Sequence, residues 1–84
     1  MTDDFESAVA AVPLLTKDPG SQVKLALYAL YKQATVGDVS GKRPGFTDLV
    51  GRAKYDAWAA LSGTSTEEAR AGYVAKVTEL QAAE

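Results

Sequence analysis

The chain has 84 residues, 46% of them hydrophobic and 24% charged, which fits one folded domain over residues 1–84 and argues against disorder. It holds no cysteine and no histidine, so disulfides, thiolate metal sites, the commonest metal ligand and the commonest catalytic base are excluded together. The formal net charge of −2 argues against duplex nucleic acid as a partner and leaves anion binding to local clusters of cations.

Four helical segments follow in order. Phe5, Ala8, Val9 and Val12 recur at helical spacing, and Leu15 extends the stripe. Thr2 or Asp3 can cap this first helix, and Asp3, Asp4 and Glu6 suit its positive end. Pro13 lacks a backbone donor and crowds the carbonyl four residues back, so the helix is expected to kink or stop near Val12. Asp18-Pro19-Gly20 reads as a turn. The second helix is expected over about Ser21 to Val36, with Val23, Ala26, Leu27, Leu30 and Ala34 on one apolar face. Residues 37–47, GDVSGKRPGFT, hold three glycines and a proline and predict a long ordered loop. The third helix is expected from about Asp48 to Leu61, with Val50, Ala53, Ala57 and Leu61 as its inner stripe. Ser62-Gly63 stops it. Ser65 with Glu68 has capping-box spacing and opens the fourth helix, along which Ala69, Tyr73, Val77 and Leu80 line one side. The whole reads as an all-α four-helix bundle.

The stretch LYALYKQATVGD, residues 27–38, carries most of the chemistry. Tyr28, Tyr31 and Lys32 are helix-surface neighbours. With Leu27 at zero on the helical wheel, Tyr31 falls near ~40°, Tyr28 near ~100° and Lys32 near ~140°. They flank the core face, and Lys24 joins the same side. Two readings fit this spacing. The tyrosines can simply cover the rim of the core, or they can form a stacking platform beside ammonium groups, suited to a flat heterocycle and a phosphate. In the third helix, Gly51, Lys54, Tyr55 and Trp58 share a face, with Trp58 read as a core anchor and Lys54 as exposed. Gly72 costs about 1 kcal/mol in a helix interior relative to alanine and either permits close packing or has no role. GKRPG, residues 41–45, lacks the spacing of a phosphate loop. The pairs Asp3-Asp4 and Glu67-Glu68 belong to helix N-termini rather than to acid–base chemistry.

No apolar run approaches bilayer-spanning length, and the start MTDDFES lacks the pattern of a secretory signal, so a soluble cytoplasmic protein is the expectation.

Taken in order, these motifs resemble the acyl-CoA-binding protein family over nearly the whole chain. YxxYKQATVGD at residues 28–38 is the strongest, followed by RPG at 43–45, GxAKxDAW from Gly51 to Trp58, LxGTS from Leu61 to Ser65, and Tyr73 with KVxEL from Lys76 to Leu80. The resemblance implies an up-down-down-up bundle whose long second loop crosses the molecule. It implies non-enzymatic binding and transport of medium- to long-chain acyl-CoA by a monomer, with no cofactor and no metal. The residues that match the family's head-group positions are Tyr28, Tyr31, Lys32, Lys54 and Tyr73. Lys32, Lys54 and the Tyr28 hydroxyl would hold the ribose 3′-phosphate, Tyr31 would lie against the adenine, and Tyr73 would frame that pocket. Leu25 and Val9 would line the acyl groove. Pro13 and Val50 stand where the family often has lysine, and Tyr55 where tryptophan is usual, which implies weaker head-group attraction or a shifted preference. The competing readings are a helical interaction module anchored by Tyr28, Tyr31 and Tyr73, and a thioesterase, which lacks a visible nucleophile–base pair.

Overall fold

The computed structural model describes residues 3–84. Its first helix, α1, spans Asp4–Ala11 and starts on Asp3, whose Oδ1 accepts from the Phe5 backbone N–H at 2.9 Å. The alternative cap, Thr2, lies outside the described residues. At Pro13 the chain tightens into a single 3-10 turn, Val12–Leu14, because proline has no N–H to continue the α-helix. The turn at Asp18-Pro19-Gly20 closes on the Asp18 carboxylate, which accepts from the Gly20 N–H at 2.8 Å, and Gly20 takes φ +88°, a left-handed value that favours glycine.

Helix α2 spans Ser21–Thr35, α3 spans Leu49–Ala59 and α4 spans Thr66–Ala82. Asp48 caps α3, with its Oδ1 accepting from the Gly51 N–H at 2.9 Å. A Cβ at position 51 would collide with that same carboxylate, so the cap and the glycine belong together. Ser65 caps α4 and pairs with Glu68 at the expected spacing: its hydroxyl accepts from the Glu68 N–H at 3.0 Å and donates to Glu68 Oε1 at 3.1 Å, a side-chain bond in place of the capping box's bond from the Ser65 N–H.

Residue pairings give the topology. Asp3 meets Arg70 and Phe5 meets Tyr73, so numbers rise together along α1 and α4 and these helices are parallel. Tyr28 pairs with Lys54 and Lys32 with Trp58, so α2 and α3 are also parallel. Leu30 packs against Gly72 while Gln33 reaches back to Thr64, so α2 and α4 are antiparallel. The order is up-down-down-up. Two parallel helices in succession require a connection that returns along α2, whose 15 residues rise about 22 Å, and the loop before α3 supplies it.

That loop is tied down by α3. Trp58 Nε1 donates to Gly37 O at 2.8 Å, Tyr55 Oη donates to Gly41 O at 3.0 Å, and Arg43 donates two hydrogen bonds to Asp56 at 2.8 and 2.7 Å. The Arg43 guanidinium holds the Asp56 carboxyl below the usual carboxylate range. The GKRPG segment is therefore a tethered connection. At its start, the wholly buried Gln33 donates to Asp38 Oδ1 and to Thr64 O, both at 2.8 Å, and the Gly63 N–H donates to the same Asp38 oxygen. One amide thus pins the end of α2 to the loop and to the α3–α4 turn.

The core lies between α1, α2 and α4 and is filled by Phe5, Ala8, Leu27, Ala34, Ala69, Tyr73 and Val77. A Cβ at Gly72 would lie 3.2 Å from Leu30 Cδ2, so this glycine does let α2 and α4 approach closely. Helix α3 reaches the bundle chiefly through α2, with Trp58 as its buried anchor. The expected inner stripe of α3 needs one correction. Ala53, Ala57 and Leu61 are half-buried, but Val50 is 68% exposed. The first turns of α3 stand off α2, and Val50 faces the gap.

Candidate ligand-binding site

Tyr28 and Lys32 are one turn apart on α2, and Lys54 and Trp58 are one turn apart on α3. Because the helices run parallel, these four side chains form two rungs across one seam. Lys54 Nζ sits 5.4 Å from the centre of the Tyr28 ring, and Lys32 Nζ sits 5.2 Å from that of Trp58. Each rung takes its aromatic from one helix and its cation from the other, within cation–π range. Four residues of helix separate the rungs by about 6 Å. Two ammonium groups on flexible stems can therefore reach one phosphate from opposite sides of the seam.

The lower rung opens into a groove of about 370 Å³, lined by Leu25, Leu49, Val50 and Ala53, with Tyr28 and Lys54 at its edge and Ser21 and Lys24 closing the α2 side. The lining is almost wholly apolar. Leu49 and Val50 are 71% and 68% exposed and share this groove, a contiguous apolar patch of the kind that marks binding surfaces. Lys24 is partly engaged by Asp18 at 3.2 Å. Cations and aromatic faces at one end and apolar walls at the other suit a ligand with an anionic, planar head and an apolar tail.

Tyr31 lies on the neighbouring flank of α2, the one turned toward α1. It is 41% exposed, and its ring stacks on Phe5 at 6.1 Å with an interplanar angle of 18°. A second hollow of about 380 Å³ lies there, lined by Tyr31, Phe5, Val9 and Arg70 among others. Tyr73 is buried behind it, edge-on to Phe5 at 5.2 Å and 6.4 Å from Tyr31. Burial pushes its phenol above its ordinary pKa, and the nearby Tyr31 adds to that.

Of the residues singled out in the sequence, the fold brings Tyr28, Lys32, Lys54 and Leu25 to one side. Tyr31 and Val9 face the hollow next to α1, apart from the groove that holds Leu25, and Tyr73 backs Tyr31 from the core. Sequence reasoning passed over Leu49 and Ala53 as groove residues and put Val50 in the core. One signal was present: Leu49 and Val50 are adjacent and both apolar, and two neighbours about 100° apart on a helix cannot both sit in one narrow stripe.

Fold and site together define a small all-α bundle with a cation–aromatic seam beside an apolar groove. The chain belongs to the acyl-CoA-binding protein family: residues 2–77 match the family model described as "Acyl CoA binding protein". It is 48% identical over 84 residues to an acyl-CoA-binding protein of Brassica napus, covering 100% of this chain and 91% of that one. It is also 54% identical over 77 residues to enoyl-CoA delta isomerase 2 of Rattus norvegicus, covering 92% of this chain but only 20% of the isomerase. The chain thus spans about one-fifth of that relative's length. The crystal structure of Acyl-CoA-Binding Protein 2 of Oryza sativa superimposes with a TM-score of 0.91 at 45% identity, over 95% of this chain and 89% of that one.

Proposed function

We propose that this chain binds medium- to long-chain acyl-CoA thioesters and carries them without altering them. The observation that supports this best is a shared boundary: Tyr28 and Lys54 belong both to the cation–aromatic seam and to the apolar groove. A head held at the seam is therefore continuous with a tail lying in the groove.

In this reading Lys32 and Lys54 flank the ribose 3′-phosphate, which carries close to two negative charges near neutral pH, and the Tyr28 hydroxyl donates to it. Tyr31 offers its exposed face to the adenine. Tyr73 frames that position through Tyr31 and Phe5, and Val9 serves the adenine side rather than the acyl groove. Leu25, Leu49, Val50 and Ala53 cover the chain. Each methylene buried adds up to about 0.8 kcal/mol until the groove is full. The thioester is kept from water, and no step of chemistry is asked of the protein.

The proposal includes a monomer in the cytoplasm that needs no cofactor and no nucleic acid. Among the described residues no helix is long and apolar enough to cross a membrane, and no His, Cys, Asp and Glu cluster could hold a metal ion. An interaction module anchored on three tyrosines fits less well, since Tyr73 is only 5% exposed.

Calorimetric titration tests the proposal. A long-chain acyl-CoA should bind far more tightly than the free fatty acid or the 3′-dephospho acyl-CoA. Equal affinity for all three would discard it.

A further inference from the structure

Arg70 lies outside every motif read from the sequence, yet it lines the hollow that Tyr31 faces. Its position on α4 is fixed from two directions. The guanidinium carbon sits 4.8 Å from the centre of the Phe5 ring, and Nη1 donates to Asp3 Oδ2 at 3.2 Å. Phe5 in turn is the ring on which Tyr31 stacks. The hollow therefore has a flat aromatic on the α2 side and a planar, oriented fork of donors on the α4 side.

Among the described residues, the bond to Asp3 leaves most of that fork available. A guanidinium carries five N–H donors, and a single contact to a half-exposed carboxylate uses one of them. Surface pairs of this kind contribute little, so the donors can turn to a ligand without much loss. Lysine could not do the same, because it offers a point charge rather than a directed edge. What such an edge recognises beside a stacking ring is a planar heterocycle with acceptor nitrogens.

We infer that Arg70 is a specificity-determining residue that donates hydrogen bonds to the ring nitrogens of the nucleobase lying on Tyr31. This rests on the acyl-CoA reading and adds to it a second element of head-group recognition, separate from the two lysines. Lys32 and Lys54 read the phosphate at the α2–α3 seam. Arg70 reads the base at the α1–α4 side. The two contacts should therefore respond to different parts of the ligand.

The test uses three probes with the same acyl chain: acyl-CoA, 3′-dephospho acyl-CoA, and acyl 4′-phosphopantetheine, which lacks the nucleotide. Arg70→Gln should weaken acyl-CoA and its 3′-dephospho form equally, by about tenfold, the scale of one charge-assisted hydrogen bond. It should leave acyl 4′-phosphopantetheine unchanged. Asp3→Asn keeps the helix cap while removing the carboxylate that holds Arg70, and it should leave acyl-CoA affinity at or above the original. Lys32→Ala serves as the control for the underlying reading, with a loss for acyl-CoA and little for the 3′-dephospho form. The inference is overturned if Arg70→Gln changes nothing, if its effect vanishes without the 3′-phosphate, or if it persists without the nucleotide. It is equally overturned if Asp3→Asn weakens binding as much as Arg70→Gln does, which would make Arg70 a strut for α1. Failure of the Lys32→Ala control alone would instead strike the reading of the seam.

Discussion

The α1–α2–α4 interior and the α2–α3 seam use helix α2 in opposite ways. On the interior side, Leu27 and Ala34 meet Phe5, Ala69, Tyr73 and Val77, and the space is filled by the protein's own side chains. On the seam side, α2 presents Tyr28 and Lys32, α3 answers with Lys54 and Trp58, and the first turns of α3 leave a groove with Leu49 and Val50 in the open. Apolar surface is complete in one region and left incomplete in the other. Stability and binding can thus be separated along one helix, since substitutions on its two faces act on different quantities.

The largest effect is expected where the two regions join. Trp58→Ala removes the buried anchor of α3, the partner of Lys32 and the tether to Gly37. It should lower unfolding free energy by about 3 kcal/mol in denaturant titrations and weaken acyl-CoA binding as well. Val77→Ala, in the filled core, should cost about 2 kcal/mol of stability by the loss of buried methyls and packing. Its affinity for acyl-CoA should be unchanged below the unfolding transition. A parallel drop in affinity would break the separation.

Val50→Ser should do the reverse. Its side chain is exposed in the free protein, so the unfolding midpoint should hold. Long-chain acyl-CoA should lose about 1 kcal/mol, roughly fivefold, while a two-carbon acyl-CoA loses nothing. A loss independent of chain length would remove Val50 from the groove.

The smallest effect is pH-dependent and concerns the loop node. The Gly63 N–H first, and then the Gln33 amide, hold the Asp38 carboxyl below its ordinary pKa. A carboxyl depressed by folding contributes stability that is fully present above its unfolded value of about 3.9 and is lost as pH falls through the folded value. Thermal midpoints should therefore be flat near neutrality and fall below about pH 4, with a shallower fall for Asp38→Asn. A midpoint that rises in acid would contradict the assigned network.

Much of this division was legible before any coordinates. The Ser65 cap with Glu68, the stop at Pro13 and the apolar stripes of α2 and α4 are local signals, and local chemistry decided them. The wheel put Tyr28, Tyr31 and Lys32 beside the core face, and they lie there. Periodicity could not supply the parallel run of α2 and α3, which came from the family resemblance and depends on contacts distant in sequence. It also misplaced Val50, because an apolar residue at helical spacing reads as core whether the surface facing it belongs to the protein or to a ligand. Arg70 was passed over for a similar reason. A lone arginine on a polar helix face carries no pattern, and only the fold puts it beside Phe5 and Tyr31.

A double-mutant cycle on Lys32 and Lys54, read by calorimetry with one long-chain acyl-CoA, tests most directly whether two helices share one phosphate. Lys32→Ala and Lys54→Ala should each weaken binding about tenfold or more. The double variant should differ from the sum of the two losses by more than about 0.5 kcal/mol, because groups that share one partner are coupled. Strictly additive losses, or no loss at either position, would contradict a shared phosphate at the seam.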